Sequence, residues 1–75
     1  MNLHVESSID THGDVQPRAF LLGSQHIEVL QIIDRWLAFD YGYFKVAADD
    51  GGTYILRHDD LSDQWELTLF SADSL

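Results

Sequence analysis

The sequence predicts a mainly β fold, a small antiparallel meander or partly open barrel of five or six strands. Three observations lead there. The runs "YFKVAA", "TYILRH" and "QWELTLF" are each strand length and are separated by "DDGG" and "DDLSD". Aspartate and glycine between apolar runs mark tight turns. In the last run Trp65, Leu67 and Leu69 alternate with Gln64, Glu66 and Thr68, the pattern of a strand buried on one face. Upstream, "RAFLLG" and "SQHIEVL" flank Gly23 and Ser24, an acceptable two-residue hairpin.

In chain order, residues 1–16 read as a weakly structured start or a short edge strand. Leu3 and Val5 alternate with polar neighbours, and "SSIDTHGD" is turn-rich. Pro17 fixes its own φ and biases Gln16 toward extended geometry. Phe20 and Leu22 share one face of the next strand, and Ile27 and Val29 one face of the strand after it.

Residues 25–38 are ambiguous. As a helix, which Ser24 would cap, they place Val29, Ile32, Ile33, Trp36 and Leu37 on one stripe opposite Glu28, Gln31, Asp34 and Arg35. As a strand their alternation is poor, yet β-branched residues are abundant. The alternative fold is therefore α+β with one helix at about 25–38, and a helical turn is expected within residues 34–40. The next hairpin also has two registers. A two-residue turn at Asp50 and Gly51 pairs Val46 with Ile55 and Phe44 with Arg57. A three-residue loop with Gly51 left-handed pairs Val46 with Tyr54 and Phe44 with Leu56, and keeps the large residues together. Residues 71–75 are expected to be a flexible tail.

The 75 residues make one domain, residues 1–75. A chain this short buries only roughly 60% of its unfolded surface. It has no cysteine, so packing alone must hold it, and a reducing cytoplasm fits. There is no apolar run of a membrane span's length, and "MNLHVESSID" does not read as a signal peptide. Thirteen acids against four scattered bases give a net charge of -9. That disfavours direct contact with nucleic acid or anionic lipid, which needs clustered Lys and Arg. It suits a basic partner, and equally plain solubility.

Chemistry-bearing motifs are sparse. The pairs Asp49/Asp50 and Asp59/Asp60 lack the fixed offsets of a calcium loop, and in a meander they lie at opposite ends of the sheet. His4 with Glu6, and His12 with Asp14, have strand-face spacing, but nothing else converges on them. No Gly-x-Ser-x-Gly elbow or phosphate loop is present. No catalytic, cofactor-binding or metal-ligating residue is therefore assigned, and no enzyme is expected. The aromatics carry the best interaction argument. Trp36, Phe39, Tyr41, Tyr43, Phe44 and Tyr54 cluster around one hairpin, too many for so small a core. The partner-binding candidates are Trp36, Tyr41, Tyr43 and Tyr54, with Tyr41 and Tyr43 expected to be the most exposed.

Trp36, Tyr43, Phe44, Val46, Gly51, Tyr54, Leu56, Arg57, Trp65 and Leu67, with "PRAFLLGSQHIEVLQIIDRW" before them, form a pattern over residues 15–70. It resembles a small, functionally uncharacterised bacterial domain, free-standing or at the tail of proteins related to Y-family DNA polymerases. The resemblance implies a mainly β fold with a strand after Gly23, and a protein-interaction role around DNA-damage tolerance. The expected function is a non-enzymatic protein-interaction module. The alternatives are an acidic nucleic-acid-mimicking decoy for a basic protein and a weak metal-binding accessory protein. Partner identity and oligomeric state are not legible in the sequence.

Overall fold

A computed structural model describes residues 2–71, and the side chains of residues 3–68. Six antiparallel strands, β1 (Asn2–Ile9), β2 (Val15–Leu22), β3 (Gln25–Ala38), β4 (Tyr41–Ala48), β5 (Thr53–Asp59) and β6 (Gln64–Ser71), follow one another around a closed barrel. The closure is short: among the described residues β1 meets β6 only through Asn2 with Glu66 and Leu3 with Trp65. So β1 is a barrel strand paired on both sides, more than the edge strand expected of the first residues. The tail expected at 71–75 lies, Ser71 apart, outside the described residues. No helix among the described residues is long and apolar enough to cross a membrane.

Residues 25–38 are one long strand, which corrects both the helix alternative at 25–38 and the helical turn expected within 34–40. The physical reason is visible in the register. β3 pairs with β2 through residues 25–28 and with β4 from Val29 to Ala38, with irregularities between Val29 and Gln31 and between Ile32 and Asp34. Each bulge inserts one residue. Ile27, Val29, Ile32, Arg35 and Leu37 therefore share the inward side, spaced two, three, three and two. That spacing imitates a helical stripe, although the backbone is bonded to neighbouring strands.

The turns follow their chemistry. Leu22 pairs with Gln25 across Gly23, which takes a φ of 63°. Of the two registers open for the β4–β5 hairpin, Val46 with Tyr54 and Phe44 with Leu56 is observed. Gly51, at φ 85°, makes the left-handed position that glycine adopts without cost. Tyr54, Phe20, Ile27, Leu56 and Val46 fill the barrel, with Leu3, Phe44, Ala48 and Trp65 completing the cluster. Fully burying one such aliphatic side chain contributes about 1.5–3 kcal/mol.

Candidate functional site

A meander places alternate turns at opposite ends. The β1–β2, β3–β4 and β5–β6 turns share one end, which gathers Asp10, Asp14, Asp40, Asp59, Asp60 and Asp63. The β4–β5 turn, with Asp49 and Asp50, lies at the other. The aspartates there are structural. Asp49 Oδ1 accepts from the Glu28 amide at 3.2 Å, and the Asp49 amide donates to the Glu28 carbonyl at 2.9 Å. Asp50 accepts from the Gly52 amide at 2.8 Å and from the Tyr54 hydroxyl at 2.5 Å.

That hydroxyl corrects one candidate. Tyr54 is 1% exposed, its ring edge-on to Phe20 at 4.9 Å, so it is not offered to a partner. Its even position on β5 points it into the barrel with Leu56 and His58. Burial, followed by the carboxylates of Asp50 and Asp49, pushes its hydroxyl well above the usual tyrosine range.

The other three candidates are brought together outside. Trp36 is 39% exposed and stacks on Tyr43 at 5.4 Å, with only 3° between ring planes. The two are paired across β3 and β4. Tyr43 in turn pairs with Arg57, and Arg57 with Glu66, so one row crosses four strands on the outer face. The Arg57 guanidinium lies 4.4 Å from the centre of the Tyr41 ring and is ion-paired with Glu66. Tyr41 and Tyr43 are half-buried, more covered than the sequence suggests, because Arg57 and Trp36 lie against them.

Sequence reasoning placed Phe39 in the aromatic cluster but missed what its turn makes of it. It is fully exposed and sits at φ 59° in the two-residue turn between Ala38 and Tyr41. That is a glycine-type conformation, which costs an L-residue about 1–2 kcal/mol. Leu37 beside it is 79% exposed, resting on Gly42. The sequence carried no turn signal there, because Phe39 and Asp40 take the place where a two-residue hairpin with a left-handed first position has glycine. Phe44 went instead to the core, against Trp65 at 5.6 Å.

The acidic end is held by its own bases. Asp10 accepts from the amides of His12 and Asp14 at 2.8 and 2.9 Å, and Arg35 reaches Asp10 and Asp14 at 3.7 and 3.9 Å. The Asp14 amide, above all, holds the Asp10 carboxyl below the usual carboxylate range. The amide of Leu61 does the same for Asp59. His58 is 5% exposed, with Nε2 2.8 Å from Asp63, Nδ1 3.2 Å from Asp60 and its ring 4.5 Å from Trp65. Of the two spaced pairs read from the sequence, Glu6 meets His26 at 3.1 Å instead of His4, and His12 and Asp14 both close the Asp10 turn through their amides. Among the described residues no three of His, Asp and Glu are grouped to hold a metal ion.

Fold and surface together define a small six-stranded antiparallel barrel with an aromatic hairpin at its acidic end. No family model, curated protein or solved structure matches the chain.

Proposed function

We propose that this chain is a non-enzymatic docking module for another protein in the bacterial cytoplasm, engaging it through the β3–β4 hairpin. The observation that carries the reading is Phe39. A large aromatic with no burial occupies a backbone conformation that glycine would take at less cost. Strain retained for an exposed side chain, next to the Trp36–Tyr43 stack, is what an interface anchor requires. The resemblance to a domain at the tail of polymerase-related bacterial proteins is in keeping with such a role. Among the described residues most carboxylates sit at turns and not in rows along a strand face, which favours docking over the decoy reading.

The test is affinity capture from a bacterial lysate with quantitative mass spectrometry. Wild-type bait is compared with Trp36→Ala and Phe39→Ala baits of unchanged fold. A partner reduced about tenfold or more on both variants is expected for hot-spot residues. Identical protein sets on all three baits would sink the docking role.

A further inference from the structure

Resting on that docking role, we infer that the partner supplies an extended segment, alternating apolar residues with Lys or Arg, which adds as a strand to the free edge of β3 over residues 34–38. Among the described residues, β3 is covered on its β2 side only at residues 25–28. Among the described residues, β4 alone pairs with residues 29–38. Beyond the two bulges, Asp34, Arg35, Trp36, Leu37 and Ala38 pair with β4 without interruption. They form a regular edge about 17 Å long, the length of a typical strand.

Among the described residues no strand meets the polar groups on this edge. An antiparallel ladder turns the N–H and C=O of every second residue away from its partner. Arg35 belongs to the outward set: its amide donates to the carboxylate of its own neighbour, Asp34, at 2.8 Å. Leu37, two residues on, belongs to the same set. An incoming carbonyl replaces Asp34 on the Arg35 amide and reaches the Leu37 amide directly. Such edge pairing gives affinity, and pockets for alternate side chains give selectivity. One pocket is at hand, a crevice of about 220 Å³ where Trp36, Leu37, Tyr43 and Phe44 meet Asp14 and Arg35.

Charge selects the occupant. The strip is neutral in itself, with Asp34 and Arg35, but it ends among six aspartates in a chain of net charge -9. Two copies paired antiparallel over five residues would bring both acidic ends within about 17 Å of each other, so like charge disfavours a second copy. A basic strand gains where a second copy loses.

The experiment takes wild-type protein through selection against a random peptide display library. Amide hydrogen exchange of the ¹⁵N-labelled chain is then followed by NMR with the enriched synthetic peptides. Enriched peptides should alternate apolar and basic residues, and should slow exchange at Arg35 and Leu37 by about tenfold or more at saturation. Leu37→Pro, which removes an outward amide and no bond to β4, should abolish binding. Asp34→Ala, which frees the Arg35 amide, should preserve or tighten it. Binding that shifts Trp36 and Phe39 without protecting Arg35 and Leu37 would overturn strand addition and leave the docking role standing. Acidic or uncharged winners would overturn the basic partner. Protection of both amides in the free protein, with a dimer in sedimentation, would assign the edge to a second copy instead. No enrichment over a Trp36→Ala, Phe39→Ala bait would overturn the inference and the docking role together.

Discussion

Replacing Phe39 by glycine is expected to make the barrel more stable while weakening its grip on a partner. The side chain is 100% exposed, so its removal takes no burial from the folded state. Its φ of 59° costs an L-residue about 1–2 kcal/mol, which glycine does not incur. Glycine gives back about 0.5–1 kcal/mol through the greater freedom of its unfolded chain. The net gain is about 0.5–1 kcal/mol, which for a domain of this size raises Tm by about 2–8 °C. Urea titration followed by tryptophan fluorescence, with calorimetry for Tm, measures it. Phe39→Ala separates the two effects. It loses the aromatic ring but keeps the β-carbon, and should stay within about 0.5 kcal/mol of wild type. If the glycine variant is no more stable than the alanine variant, the turn is unstrained and the argument from Phe39 to an interface fails.

Three further outcomes test the rest of the structure. Tyr54→Phe should cost about 1–2 kcal/mol by removing the bond to Asp50, whose carboxylate stays solvated. The fold holds the Tyr54 proton above its ordinary pKa of 10.0, so above about pH 10 the unfolded chain binds fewer protons and wild type loses stability as pH rises. Phenylalanine has no such loss, so the gap should narrow in alkaline denaturant titrations, and a constant gap would contradict it. His58→Ala opens a space against Trp65 and removes the bonds to Asp60 and Asp63, whose exposed carboxylates stay solvated, a loss of about 2–4 kcal/mol that near-ultraviolet circular dichroism of Trp65 should accompany. A loss under about 1 kcal/mol would show that the clamp is idle. Asp10 has a lowered carboxyl pKa in the fold, so its contribution is present above about pH 4 and fades as pH falls. Asp10→Ala should therefore show a shallower fall of Tm in acid than wild type.

The parts of the fold that were legible are those where local chemistry and the barrel agree. Gly51 left-handed, Tyr54 opposite Val46 and alternation in β6 follow from turn rules and from keeping large residues together. β3 was not legible because its bulges rewrite its period. Leu30 and Ile33 are the inserted residues, both exposed, and they shift the inward set from a two-residue to a three-residue step twice. Pattern alone cannot separate that from a helix, since only pairing with β2 and β4 decides it. The site was half legible for a related reason. Type and spacing placed the candidates Trp36, Tyr41 and Tyr43 on one hairpin, but which face of β5 turns inward is set by closure of the barrel. Tyr54 therefore fell to the core, while Arg57, three residues on, fell to the outer face.

An exposed apolar edge carries a risk that the rest of the chain offsets. Leu37 and Phe39 at the end of the open edge of β3 invite pairing between copies. Three features oppose it. The bulges break the edge above residue 34, so only a short stretch is regular. Asp34 occupies the Arg35 amide, so pairing must first displace a carboxylate. The aspartates of three turns surround the exposed tip, so a second copy arrives against its own charge. None of these deters a basic strand, because its lysines or arginines meet the acidic turns. On this reading the net charge of -9 is not plain solubility alone. Under the strand-addition proposal it also gives the edge its selectivity, disfavouring the chain's own copies by the same field that would draw a basic strand in.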